Sequence, residues 1–197
     1  MSGAGSAGGA HSRTSSQPRF SFRCGVLSCH PKSSSLIFIL SSTSHVLEVG
    51  PGPGFFSIDV ARAVPQGRLE LVDIQREMVQ KARRRLQRAG VPNVGYTQAT
   101  AARLPFQSRT FDVVFLVAVL GEVPDPKACM NSIADVLRPE GLVVVAELPG
   151  DPDALAEEQL RDLTRGTGLE FVESVQISRS VITSFRRRAK DPDMRAA

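Results

Sequence analysis

The sequence predicts a doubly wound α/β fold with a mostly parallel sheet, and three stretches of the chain support that prediction. Residues 46–56 run from a short apolar segment through a glycine-rich turn into a helical pattern. That order is typical of the first unit of a nucleotide-binding α/β fold. Residues 69–73 form a second short strand pattern that ends in an acid. Residues 111–120 are almost wholly apolar and β-branched, as expected of a strand buried on both faces of a parallel sheet.

The other elements are predicted from hydrophobic periodicity and from capping residues. Further strands are predicted at 94–98, 142–148, 170–177 and 181–187, and a tight turn joins the last two. Helices are predicted at 55–64, at 75–89, from Asp125-Pro126 onward, and from Asp151-Pro152 to about Arg165. Residues 138–141 are predicted to form the turn before the fifth strand. The chain of 197 residues suggests one domain.

The glycine-rich turn has a spacing that separates two classes of nucleotide-binding protein. Gly50, Gly52 and Gly54 read G-x-G-x-G, whereas the dinucleotide fingerprint G-x-G-x-x-G/A requires Gly or Ala at position 55. Phe55 stands there instead, which disfavours a nicotinamide-dependent oxidoreductase. Asp73 follows Gly54 by 19 residues, close to the ~20-residue offset at which an acid meets ribose hydroxyls.

Charge and cysteine content exclude several other classes. The net charge of +4 arises in residues 1–47, which contain four basic residues and no acid, so the rest of the chain is neutral. A basic nucleic-acid surface is therefore not expected, and no apolar run approaches the ~18 residues of a membrane span. Cys24-x4-Cys29 lacks a second pair of zinc ligands, and Cys129 falls in a helical apolar pattern typical of a core residue.

The N-terminal residues differ in composition from the rest of the chain. Residues 1–45 are rich in Ser, Gly and Ala with scattered Arg, which predicts a disordered extension. An organellar transit peptide is the alternative, since such peptides are rich in Arg and Ser and poor in acids. We therefore predict a cytoplasmic protein, or a mitochondrial one if the extension is a transit peptide. Residues 36–40 are predicted to be a buried strand or helix fragment, and residues 189–197 a flexible tail.

Five segments of the chain together resemble a class I S-adenosylmethionine (SAM) dependent methyltransferase. They are LEVGPGPG (47–54), LVDIQREM (71–78), ATAARLPF (99–106), FDVVFLVAVLGEVPDP (111–126) and VLRPEGLVVVAEL (136–148). The resemblance is to the small-molecule enzymes of the quinone-methylating, UbiE-like type, and it extends from residue 46 to near 188. It implies a Rossmann-like sheet of seven strands with one antiparallel edge strand, and a methyltransferase domain at residues 46–188.

The resemblance also implies which residues hold the cofactor. The turn residues Gly50, Pro51, Gly52 and Gly54 are expected to face the methionine and ribose parts of SAM, with Glu48 near its amino-acid portion. Asp73 is expected to hold the ribose hydroxyls and Ile74 to pack on the adenine. Thr100 and Ala101 are expected at the adenine edge, and Val117, with the strand end up to Leu120, beside the cofactor. Relatives usually carry Asp at position 100, so this contact should be weaker here by about 1 kcal/mol.

The acceptor side of the site is less defined by the sequence. Glu122 is the one ionisable group at the end of the 111–120 strand, so it is the candidate for orienting or deprotonating a substrate; the alternative is an ordinary loop carboxylate. A small, hydrophobic methyl acceptor is the predicted partner. The competing prediction is a SAM-fold protein that binds without catalysis, because Thr100 and the missing N-terminal helices depart from the family pattern. Nucleic-acid methylation is disfavoured by one Tyr and no Trp for base stacking.

Overall fold

The computed structural model describes residues 40–148 and 150–189, and within them the chain forms a seven-stranded sheet in the order β3-β2-β1-β4-β5-β7-β6. The strands are β1 (His45–Val49), β2 (Arg68–Asp73), β3 (Val94–Gln98), β4 (Phe111–Val117), β5 (Leu137–Glu147), β6 (Leu169–Ile177) and β7 (Ser180–Arg187). The helices are α1 (Ser57–Ala63), α2 (Arg76–Arg88), α3 (Pro126–Val136) and α4 (Glu157–Thr164). The prediction of a doubly wound α/β fold is confirmed.

The direction of the strands follows the predicted pattern. Strands β1 to β5 pair in parallel, and β7 pairs antiparallel with β5 and with β6. The antiparallel strand therefore lies one position inside the edge. Strand β1 lies between β2 and β4, where the strand order reverses. In open α/β sheets, ligands bind outside the carboxyl ends of the strands at this switch point.

Each face of the sheet is covered by two helices, and each face has its own apolar core. One core packs residues of α3 and α4, such as Ile133 and Leu160, against Val114 and Val145 of the sheet. The other packs residues of α1 and α2, such as Leu86, against Phe115. The alternation of side chains along each strand assigns successive residues to opposite cores. Cys129 is fully buried in the first core, as predicted, and burial raises the pKa of its thiol to about 12.

Two element ends near the switch point differ from the predictions. The helix predicted at 55–64 begins at Ser57, because residues 52–56 form turns. The strand predicted at 111–120 ends at Val117, because Ala118 takes a left-handed backbone conformation with φ +51°. A short 3₁₀ turn, Leu120–Glu122, follows. Leu120 is fully buried and so packs in the core.

Two further predictions, after α3 and before α4, are corrected by the structure. Residues 138–141 lie within β5, which begins directly after α3 and carries an irregularity where Phe111 and Val113 pair with it. The helix predicted from Asp151 begins six residues later, at Glu157. The Asp151 carboxylate accepts the Asp153 N–H at 3.0 Å, so it closes a turn and caps no helix.

Some predictions fall on residues outside the described ranges. These are most of the extension at 1–45 with its Cys24 and Cys29 pair, residues 36–39, and the tail at 190–197. They stay predictions. Within the ranges that the structure describes, no helix combines the length and apolar character needed to cross a membrane.

Candidate active site

A cavity of about 350 Å³ opens at the carboxyl ends of β1 to β4. It lies at the switch point, where the glycine-rich turn after β1 faces the residues that follow β4. Its lining includes eight of the eleven residues predicted from the sequence: Gly50, Gly52, Asp73, Ile74, Thr100, Ala101, Val117 and Glu122. Residues from four separate strand ends thus meet at one site.

The glycine-rich turn brings the backbone close to the end of β4. The Gly50 N–H donates to the Val72 carbonyl at 2.8 Å, which ties the turn to β2. Gly50 has φ +69°, and a Cβ built on it would lie 2.5 Å from Cγ2 of Val119. Gly52 also has a positive φ, +52°, but a Cβ there would have no atom within 4 Å. The space in front of Gly52 is therefore open to a ligand that approaches the backbone.

Asp73 ends β2 at the rim of the cavity. Its Oδ1 accepts the Gln75 N–H at 2.8 Å, which fixes the orientation of the carboxylate. Its Oδ2 accepts no hydrogen bond from the residues that the structure describes, so it can serve a ligand. Ile74, the next residue, is 64% exposed and lines the cavity with an apolar side chain. A polar acceptor beside an apolar surface suits a nucleoside, which has a diol and a flat ring.

Thr100 and Ala101 line the cavity after β3. The Thr100 hydroxyl oxygen accepts the Ala102 N–H at a long 3.4 Å, and the Thr100 carbonyl accepts the Arg103 N–H at 3.1 Å. The backbone of this segment is thereby turned, while the hydroxyl group keeps hydrogen-bonding capacity for a ligand.

The other three predicted residues, Glu48, Pro51 and Gly54, are buried and are not among the residues that line the cavity. Glu48 is 3% exposed, and its Oε2 accepts the Ser57 hydroxyl at 2.5 Å. Burial raises the pKa of Glu48 to about 7, and the Ser57 hydrogen bond offsets part of that rise. The carboxyl group therefore links β1 to the first residue of α1. A Cβ on Gly54 would meet Cδ1 of Leu86 at 2.9 Å, so this glycine lets the turn pack on α2.

Glu122 is exposed on the opposite wall of the cavity, in the 3₁₀ turn. Its own N–H donates to the Val119 carbonyl at 3.0 Å. Val119, Val123 and Pro124 surround it with apolar surface. This wall thus combines one carboxylate with an apolar patch, an arrangement that can orient a mostly apolar ligand through one polar group.

Several lining residues were not singled out by sequence reasoning. Gln75 and Met78 of the segment after β2 and Ala118 after β4 also face the cavity. Met78 belongs to the apolar stripe of α2, so periodicity assigned it to the core. Its position in the first turn of α2, five residues after Asp73, was the available signal, because that turn must lie at the carboxyl end of β2. No group of three or more His, Cys, Asp or Glu suited to a metal ion occurs in residues 40–148 and 150–189.

Comparison with known proteins gives a consistent family match. A family model described as "Methyltransferase domain" matches residues 40–184. The ubiquinone/menaquinone biosynthesis C-methyltransferase UbiE of Pasteurella multocida is 38% identical over 104 residues, which cover 52% of this chain and 39% of that protein. The UbiE protein of Saccharophagus degradans is 36% identical over 115 residues, 57% of this chain and 46% of that protein. The chain thus spans less than half the length of these relatives.

Solved structures show the same fold at low sequence identity. A SAM dependent methyltransferase from Aquifex aeolicus has a TM-score of 0.71 and 19% identity, and the match covers 77% of this chain and 85% of that one. The [4+2]-cyclase SpnF has a TM-score of 0.70 and 18% identity, and the match covers 78% of this chain and 79% of that one. The second structure bears the name of a cyclase, so the fold by itself does not specify the reaction.

Proposed function

The chain belongs to the methyltransferase domain family, whose model matches residues 40–184, and on that premise we propose that it transfers a methyl group from SAM to a small hydrophobic acceptor. The membership confirms the resemblance seen in the sequence and, with it, SAM as the cofactor of the family. The observation that carries the proposal is the cavity at the switch point, where Gly52 leaves open space and Asp73 presents a carboxylate oxygen.

The residues of the cavity fit this cofactor. Its volume of about 350 Å³ falls in the range of roughly 300–1,000 Å³ found for small-molecule sites. Asp73 Oδ2 can accept hydrogen bonds from a ribose diol, while the Thr100 hydroxyl and the Ala101 N–H can serve the edge of an adenine. Ile74 offers the apolar surface on which an adenine face packs. The backbone at Gly52 can approach the polar methionine part closely because no side chain intervenes.

The chain itself contributes binding, orientation and exclusion of water. When bound, the cofactor supplies an electrophilic methyl group on a positively charged sulfur. Val117 and Val119 line the cavity with apolar side chains, and Val119 lies against Gly50 of the glycine turn, so they would exclude water from a cofactor bound there. Holding donor and acceptor in line can contribute up to about 7–11 kcal/mol toward lowering the barrier of such a reaction. The exposed carboxylate of Glu122 is placed to orient or deprotonate an acceptor on the opposite wall.

A quinone-like ring is the acceptor class that the relatives suggest. The UbiE proteins are named as C-methyltransferases of ubiquinone and menaquinone biosynthesis. The apolar wall formed by Val119, Val123 and Pro124 suits an aromatic ring with few polar groups. The relatives are bacterial proteins, which favours the cytoplasmic location over the mitochondrial one.

Calorimetric titration with SAM and with S-adenosylhomocysteine tests the proposal. Micromolar binding is expected, and Asp73→Ala should weaken it by roughly 30- to 150-fold, since hydrogen bonds to a charged group contribute about 2–3 kcal/mol. The matched control is Asp162→Ala, which removes an exposed acid of α4 that pairs with Arg165 at 2.8 Å. Absence of binding by the unchanged chain, or equal binding by the Asp73 variant, would contradict the proposed site.

A further inference from the structure

Glu147 is a buried acid at the carboxyl end of β5 that the cavity described above does not use. It is the last residue of the strand and only 5% exposed. Val145 and Val143, two and four residues before it, belong to the core under α3 and α4. Because strand side chains alternate between faces, Glu147 points to that same side of the sheet.

Neither carboxyl oxygen of Glu147 makes a hydrogen bond with any residue that the structure describes. Burial raises the pKa of Glu147 to about 7. The Leu155 backbone N–H lies close enough to offset part of the rise without meeting the geometry of a hydrogen bond, and the nearby Asp151 carboxylate adds to the rise. Buried polar groups in native proteins nearly always have a partner, so one without a partner requires an explanation. A charged carboxylate kept dry without a donor is among the most costly cases.

The position of Glu147 relates it directly to the cavity. Its neighbour Ala146 pairs with Val117 across the sheet and accepts the Ala118 N–H at 2.9 Å. Val117 and Ala118 both line the cavity. Glu147 is therefore one residue beyond this pair and one strand away from the cavity wall. The side chain of Ala118 is a single methyl group, so little separates the two regions there.

The segment 150–156 connects the surroundings of Glu147 with the cavity wall. A Cβ on Gly121 would overlap the Asp153 carbonyl oxygen, so the segment 150–156 packs directly on the 3₁₀ turn. That turn carries Glu122 on the cavity wall. Leu155, from the same segment, packs against the core that contains Leu120. Glu147 thus lies beside the 150–156 segment, since Leu155 and Asp151 are close to its carboxyl group, and the same segment packs on the turn that carries Glu122.

We propose that Glu147 binds the methyl acceptor by accepting a hydrogen bond from one of its acidic hydroxyl groups, in a subsite that extends the cavity past Ala118 toward β5. The proposal rests on the proposed function and specifies its acceptor. A phenolic or enolic hydroxyl is a strong donor on an otherwise apolar ring. Such a ring suits Leu155, which is partly buried and close to Glu147, and its hydroxyl supplies the hydrogen bond that neither carboxyl oxygen makes within the described chain.

The first test measures stability and needs no ligand. Glu147→Gln keeps the shape of the side chain and removes its charge. If the carboxylate has no partner in the free protein, the variant should melt a few degrees above the unchanged chain at pH 8 and at the same temperature at pH 5. Glu158→Gln, an exposed acid of α4, is the control and should change neither value. A lower melting temperature of Glu147→Gln at both pH values would overturn the proposal, because it would show that Glu147 has a structural partner.

The second test measures recognition of the hydroxyl group. Calorimetry under anaerobic conditions, with S-adenosylhomocysteine present, compares 1,4-dihydroxynaphthalene with 1,4-dimethoxynaphthalene, which lacks the donor hydrogens. The unchanged chain should prefer the diol by at least about tenfold, and Glu147→Gln should lose most of that preference. Failure of the unchanged chain to bind S-adenosylhomocysteine would refute the proposed function. Retained S-adenosylhomocysteine binding without a preference for the diol, or with the same preference in the variant, would overturn only the inference about Glu147.

Discussion

A methyl group added to Gly50 is predicted to destabilise the fold far more than one added to Gly52. Both glycines have a positive φ, so Gly→Ala costs about 1–2 kcal/mol of left-handed backbone strain at either position. Only at Gly50 does the new Cβ meet other atoms, at 2.5 and 2.8 Å from the two γ carbons of Val119. Overpacking of this kind adds about 1–3 kcal/mol. Gly50→Ala should therefore lose roughly 2–5 kcal/mol of unfolding free energy.

Urea denaturation at neutral pH measures this difference, provided that the dependence on urea concentration stays the same in each variant. Val119→Ala removes the side chain that the new Cβ meets. The cost of Gly50→Ala, measured as a loss of unfolding free energy, should therefore be about 1–3 kcal/mol smaller in the Val119→Ala background than in the unchanged chain. Equal stability of Gly50→Ala and Gly52→Ala, or no recovery in the double variant, would refute the reasoning about close approach.

Gly52→Ala is predicted to affect cofactor binding more than it affects stability. A Cβ on Gly52 would occupy space that is open to the cavity and touches no protein atom. Gly52→Ala should therefore keep most of its stability and bind S-adenosylhomocysteine about tenfold more weakly, a difference of ~1.4 kcal/mol. Unchanged affinity in calorimetry would mean that the ligand does not approach the backbone at Gly52.

Two more predictions concern acids at and behind the cavity. The free energy of unfolding should fall between about pH 4.5 and 7, because Glu48 has a folded-state pKa of about 7, above its ordinary value of 4.5. The stabilisation that protonated Glu48 provides is fully present below pH 4.5 and is lost as the pH rises through 7. The loss from Glu48 reaches roughly 3 kcal/mol. Because the pKa of Glu147 is also raised to about 7, Glu48→Gln should remove only the Glu48 share of the fall in melting temperature, and a melting temperature that rises over this range would contradict the assignment. Thr100→Asp should strengthen SAM binding by about fivefold, or ~1 kcal/mol, as measured by calorimetry, and weaker binding would show that position 100 does not accept from the adenine.

The sequence predicts the elements best where local pattern and tertiary environment agree. Strand β3 occupies 94–98, as predicted, and α2 differs from its predicted bounds by one residue at each end. The prediction that a helix begins at Asp151 was wrong, because an Asp-Pro pair begins turns as well as helices. Only the packing of the following segment on Gly121 decides between them. The end of β4 was missed because apolar residues continue past Ala118, where the backbone turns.

The candidate site was less predictable than the fold for a related reason. Gly50, Gly52 and Gly54 have the same spacing and similar φ angles, yet they face Val119, open space and Leu86 respectively. A sequence pattern gives the position of a glycine but does not give what lies opposite it. Glu147 was assigned to the fifth strand without a role, since the absence of a hydrogen-bond partner is visible only in three dimensions.

The position of β7 between β5 and β6 has a consequence for synthesis on the ribosome. Strand β6 hydrogen-bonds to β7 and to no other strand of the described sheet. Strand β6 therefore leaves the ribosome before β7, the strand with which it pairs. Until β7 follows, the edge of β5 that pairs with β7 is also unpaired. Domains generally fold as units as the chain is completed, so this sheet closes only when Ser180–Arg187 has been made. An mRNA truncated within those codons would leave one edge of β5 and both edges of β6 unpaired, and unpaired strand edges are a template for aggregation.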